Sequence, residues 1–160
     1  MSLFARIGSI KGESQDARHR DEIDVLSWSW GVSQASRPGG GGGAGAGAGR
    51  ASVQDFTFTH RIDRASPLLL TACARGEHLR DAVITVRKAG LDQQEYLVIT
   101  LTDVLVTRVS LTASAETDST LEEVVLTFAK VDLEYKPPTA DGSLEDGIHF
   151  THDLRGQRSG

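Results

Sequence analysis

Residues 23–31 read Ile-Asp-Val-Leu-Ser-Trp-Ser-Trp-Gly and carry both tryptophans of the chain. At a two-residue period Leu26, Trp28, Trp30 and Val32 share one face of a strand, and Val25, Ser27 and Ser29 share the other. An indole buries a large apolar area, so Trp28 and Trp30 are expected to anchor the strand in a core. The opposite face shows small hydroxyls where a second buried face would need bulk. The strand therefore has two jobs, and what Ser27 and Ser29 face is the question the rest of the chain must answer.

Beyond this strand, Arg37-Pro38 leads into five consecutive glycines and an alternating Ala-Gly run to Gly49. Glycine has the largest backbone entropy to lose and offers no packing surface, so residues 37–49 are expected to form a flexible loop. Gly40, Gly42 and Gly45 match a dinucleotide-binding spacing, but that chemistry needs a strand, a tight turn and then a helix whose amino end holds the pyrophosphate, and the sequence supplies no such helix. Alternation returns in Ser52–His60, with Phe56 and Phe58 on the core parity and Thr57 and Thr59 on the other. Ser66-Pro67 has the look of an N-cap followed by proline, and Gly76 that of a left-handed helix stop. Leu69, Ala72 and Cys73 between them form one apolar stripe, which makes Cys73 a packing residue.

The remaining body is rich in strand formers. Ala82–Lys88, Glu95–Thr102, Val104–Leu111 and Leu121–Tyr135 read as strands separated by turn-like or polar segments. Within the last, Val124, Leu126 and Phe128 share one parity while Val131, Leu133 and Tyr135 share the other. A bulge or bend near Ala129-Lys130 would reconcile the two faces, as at a barrel corner. The tail 139–160 is polar and weakly structured by its composition, with Ile148, Phe150 and Leu154 alternating as a short edge strand. Upstream, Leu3–Ile10 suits a first strand. Lys11–Glu22 mixes both signs of charge, either as a solvated connection or as a loop that sets register between subunits. One short flanking α-helix and many strands give a mainly β fold, a small sandwich or barrel, in a single domain.

Composition narrows the function. The chain has 160 residues, a formal charge of −5 and one cysteine. An acidic balance with scattered arginines argues against nucleic acid as a partner, and a lone cysteine forms no internal disulfide. No apolar run reaches the roughly 18 residues that cross a bilayer, and the first ten residues lack the apolar stretch of a secretory signal. Cytoplasmic synthesis, without membrane insertion, is expected.

Catalytic patterns are missing: there is no nucleophile elbow, metalloprotease helix or paired-cysteine motif. His149 and His152 with Asp153 could suggest a metal site, but three residues apart in an extended or irregular tail the histidines do not share a face reliably, no further ligand is close in sequence, and they are expected at the surface. The adjacent acids Glu122-Glu123 and Asp21-Glu22 point apart in strands or loops and read as solubilising. No cofactor or metal is expected, and an enzyme would need a site that the sequence does not display.

Several stretches then carry a family resemblance. Lys11-Gly12-Glu13-Ser14, the block from Asp21 to Gly31, Phe56-Thr57-Phe58-Thr59, Ala65-Ser66-Pro67, Val86-Arg87-Lys88-Ala89-Gly90 with Gln94-Glu95-Tyr96-Leu97, and Phe128-Ala129-Lys130 before Glu134-Tyr135-Lys136-Pro137 closely resemble the haemolysin-coregulated protein (Hcp) family of bacterial type VI secretion systems. The likeness is collinear over nearly the whole chain. It departs at Phe150-Thr151-His152, where the family often has an aromatic residue, glycine and tryptophan.

The resemblance implies a compact β-barrel of two antiparallel sheets with one flanking helix, assembling as a homohexameric ring. Stacked rings would form the inner tube propelled by a contractile sheath and capped by a valine-glycine-repeat spike protein. The lumen would hold and stabilise effector toxins, and the protein would leave the cell through this machine. No enzymatic activity is implied. In such a ring Ser27 and Ser29 are expected to face the lumen and cargo. The alternative is a ringless β-domain adaptor that binds peptides or partner proteins at a sheet edge.

Overall fold

The computed structural model describes residues 1–35, 51–90, 93–156 and 158–159. The loop expected at 37–49 lies outside the described residues. The described residues form ten strands and one helix in the order β1 (Ser2–Ile7), β2 (Ile23–Ser29), β3 (Val32–Gln34), β4 (Ala51–Val53), β5 (Phe56–Arg61), α1 (Ser66–Arg75), β6 (His78–Arg87), β7 (Glu95–Ser114), β8 (Ser119–Tyr135), β9 (Ile148–Asp153) and β10 (Arg158–Ser159). Strands β8, β5, β2, β1, β6 and β7 are neighbours in that order, and β7 returns to β8, closing a six-stranded antiparallel barrel.

Two long strands allow this closure. β7 and β8 pair from Leu97↔Tyr135 to Ser114↔Ser119. β8 then divides its other edge: Leu121 to Leu126 pair with β5, and Lys130 to Tyr135 pair with β9. One strand thus takes two partners along a single edge. The inward face changes phase between Phe128 and Val131, at the place the sequence indicates. The device is not an inserted residue, however. Ala129 lies where β7 turns through Asp103 at φ 59°, so both strands flip face together and the pairing register carries through. The true bulge comes later, between Val106 and Arg108. Glu95–Thr102 and Val104–Leu111, read separately in the sequence, are therefore one bent strand.

Strand β2 departs from simple alternation. Its pairing with β5 shifts between Val25 and Ser27, which leaves Leu26 as the extra residue. Ile23 and Val25 before the shift and Trp28 after it turn towards the core, while Leu26 is 43% exposed. The expected grouping of Leu26 with the tryptophans fails because a bulge reverses the parity of everything beyond it.

The barrel is filled by Phe56, Phe58, Leu126, Ile84, Ile99 and Leu101, each at most 1% exposed. Helix α1 buries Leu69 and Ala72 against this core, with Cys73 half-buried beside them. Gly76 ends the helix at φ 60°, and its N–H with that of Glu77 caps the last carbonyls. Ser66 is not the N-cap. Ala65 holds that position, and the Asp63 side chain accepts from the Ala65 N–H while the Ser66 hydroxyl accepts from the Asp63 N–H.

The 11–22 loop is a packed layer as well as a charged one. Ser14 and His19 are buried. The His19 ring stacks on Phe4 at 4.3 Å, with its nitrogens 3.0 Å from Glu22 and 2.5 Å from Glu95. Arg87 lies over the same Phe4 ring and pairs with Asp16. Phe4 points out of the barrel and needs this cover.

Candidate functional site

Strands β2, β5, β8 and β7 make a four-stranded wall whose outer surface can be read row by row. Ser27 stands opposite Thr59, Thr59 opposite Glu123, and Glu123 opposite Ser110. The next row runs Ser29, Thr57, Val125 and Arg108. Side chains opposite one another in a ladder share a face, so the two serines belong to a band spanning four strands, with short hydroxyls on β2, β5 and β7, Glu123 and Val125 on β8, and Arg108 at its β7 end. Ser27 and Ser29 are both exposed. A shallow hollow in this band is rimmed by Thr59, Arg108, Ser110, Thr112, Leu121 and Glu123.

Behind the band, Trp28 stacks on Phe56 with ring centroids 5.4 Å apart. Trp30 lies 6.4 Å from Phe128 and 6.2 Å from Phe150, and its indole N–H donates to the Gln54 carbonyl at 2.9 Å. Both indoles are half-buried, whereas Phe56 and Phe58 are fully enclosed. The indoles seal the rim of the core and the phenylalanines fill its centre.

Between these layers sits a feature the sequence reading missed. His60 and Glu122, both 0% exposed, share a hydrogen bond at 2.6 Å. Asp63 approaches the other His60 nitrogen to 3.9 Å, and burial pushes its carboxyl above the ordinary value. Glu122 was expected at the surface with Glu123. The available signal was parity, since His60 continues the inward run of Phe56 and Phe58 and Glu122 precedes Val124 and Leu126 on theirs.

The tail histidines also separate. His149 is exposed and bonded to Asp132 at 3.0 Å, with Glu134 at 3.2 Å. The Asp132 hydrogen bond raises its pKa. His152 is buried and stacks on Phe150, contrary to the expected surface position, because β9 pairs with β8 and turns that parity inward. Among the described residues no cluster of three or more potential ligands could hold a metal ion. None of these residues forms a nucleophile, base and orienting group around a cleft.

The wall has two open edges. β1 accompanies β2 only as far as the pair Leu3↔Val25, and β6 accompanies β7 only as far as His78↔Leu105. Among the described residues, no strand pairs with the outer edge of β2 beyond Val25 or with that of β7 beyond Leu105. Every ladder in the wall is antiparallel, so β2 and β7, at its two ends, run in opposite senses.

Residues 4–135 match the family model described as type VI secretion system effector, Hcp. The chain is 48% identical over 148 residues to protein hcp1 of Pseudomonas aeruginosa, covering 92% of this chain and 90% of that one. Among solved structures, Hcp1 from Salmonella typhimurium aligns with a TM-score of 0.80 and 35% identity over 99% of this chain and 97% of its own. A type VI secretion system effector from Yersinia pestis aligns with a TM-score of 0.76 and 38% identity over 94% and 98%.

Proposed function

This chain belongs to the Hcp family of type VI secretion proteins, and on that premise we propose that it is the subunit of a hexameric ring that stacks into a secretion tube. The observation that carries the reading is the pair of open edges. A second copy placed head to tail sets its β2 beside the first copy's β7, and the two run antiparallel as a ladder requires. Repeating one heterologous contact around an axis closes a ring without leaving an exposed edge. The hydroxyl band then lies on a continuous wall, with both tryptophans on its far side.

Such a wall suits a passage for cargo. Short hydroxyls offer hydrogen bonds without a broad apolar patch, so an effector is held by shape and a few polar contacts and then released. Ser29 and Ser27 are the cargo-facing residues in this reading. The spike protein, the contractile sheath and effector toxins are its partners, and export follows the tube. Among the described residues no helix is long and apolar enough to cross a membrane.

Size-exclusion chromatography with negative-stain imaging of the purified protein tests the proposal. Annular particles support it. A monomer at high concentration with no annuli overturns it and favours the sheet-edge adaptor, which would use the same open edges for a peptide.

A further inference from the structure

We propose that the buried His60–Glu122 bond sets the register of β5 against β8, and so decides which side chains stand opposite one another in the hydroxyl band. This inference concerns the single subunit and does not depend on ring formation.

A slip of one residue between two strands flips every side chain of one strand to the other face, and the apolar pattern opposes it. A slip of two does not. Phe56 and Phe58 on β5 and Val124, Leu126 and Phe128 on β8 would keep their inward direction, so alternation gives little preference between registers. The polar pair discriminates. In the observed ladder His60 faces Glu122 and Thr59 faces Glu123. Two places either way would set His60 opposite Val124 or Thr120, and Glu122 opposite Ile62 or Phe58. Each slip leaves an imidazole and a carboxyl without their partner in an apolar interior, which is strongly unfavourable.

The pair is poorly arranged as a source of stability alone. His60 Nδ1 and Glu122 Oε2 have no hydrogen-bond partner. A buried ion pair with unsatisfied atoms commonly adds less stability than an apolar filling of the same volume, and its best-attested use is to fix register. The seam it crosses joins strands far apart in sequence, so no tight turn sets their alignment.

Disulfide trapping on the outer face tests the assignment in a Cys73→Ala background. Thr59→Cys with Glu123→Cys reports the observed register. Thr59→Cys with Leu121→Cys, or with Val125→Cys, reports the two slips. With the native pair present, oxidation is expected to link the first combination in high yield and the slipped ones poorly. In His60→Leu/Glu122→Leu, and in His60→Phe/Glu122→Met as a second filling of the space, the slipped combinations are expected to rise several-fold in a chain that remains folded by circular dichroism. Slipped yields no higher than in the native-pair background overturn the inference. So does failure of both apolar variants to fold, which would make the bond a stabilising contact and not a register device.

Discussion

The Asp16 carboxylate stands 2.7 Å from Arg87 Nη2 and ties the 11–22 loop to the last residue of β6. Arg87 is buried and also covers the Phe4 ring, so one guanidinium joins a loop, a strand end and an outward-facing aromatic side chain. Its hydrogen bond, helped by the Arg18 N–H, holds the Asp16 carboxyl well below the ordinary carboxylate range.

A depressed folded-state pKa contributes stability above the unfolded-chain value, and that contribution is lost as pH falls through the lower folded value. Asp16→Asn is therefore expected to melt at a lower temperature than the parent at neutral pH. The difference should shrink as the buffer is taken below the ordinary value of 3.8. Thermal melts followed by circular dichroism across that range measure it, and a constant difference at every pH would contradict the assignment.

His149 has the opposite sign. Its pKa is raised, chiefly by the Asp132 hydrogen bond, so its contribution is full below the unfolded-chain value and fades as pH rises through the folded one. In an NMR titration Asp132→Asn should move the His149 midpoint down towards the ordinary 6.5. Amide protection at the start of β9 should weaken on the alkaline side in the parent.

Glu122→Leu alone leaves His60 without its partner at full burial. Breaking a buried pair from one side costs about 3–5 kcal/mol. Urea denaturation should show the midpoint falling sharply, with far less effect from Glu123→Leu on the exposed face.

Gly12 is needed for a close approach and not for an unusual φ. A Cβ there would lie 2.6 Å from the Glu22 carbonyl oxygen, inside the backbone bonds that close the loop at Gly12 N–H to Asp21 O and Ser14 N–H to Glu22 O. Gly12→Ala is expected to destabilise by roughly 1–3 kcal/mol. Faster hydrogen exchange confined at first to the 11–22 loop would locate the effect.

Ser29→Gln puts a longer polar side chain on the band without touching the core. Ring assembly is expected to be unchanged, while co-purification of an effector falls. Unaltered retention in intact rings would remove Ser29 from the cargo surface.

Much of this fold was legible because a strand facing a core declares itself by parity. Phe56, Phe58, Val124 and Leu126 needed no more than a period of two. The helix stop at Gly76 and the face change after Phe128 were equally plain. Parity failed where one residue is added, as at Leu26, because a bulge reverses everything beyond it and leaves little local trace. It also failed for charge. Glu122 and His60 follow the buried parity, but their residue types argue for the surface, and only their meeting across two distant strands makes burial tolerable. The cover over Phe4 was hidden for a related reason, since the polar composition of 11–22 suggests solvent and its contacts come from β6 and β7. Of the wall, Ser27 and Ser29 could be read as a pair. Glu123, Ser110 and Arg108 join them only through the ladder.

The dual pairing of β8 has a consequence for how the protein is made. Strands β1, β2, β5, β6 and β7 all leave the ribosome before β8, yet β8 is the strand that joins β5 to β7. Until it emerges the nascent sheet has two loose ends, at β5 and β7, and hydrophobic strand surface without its final cover. The β7–β8 hairpin is the local step, and docking its far edge on β5 is the long-range one. The last barrel strand to be synthesised is therefore the one that turns an open sheet into a closed subunit, and β9 joins it only after that.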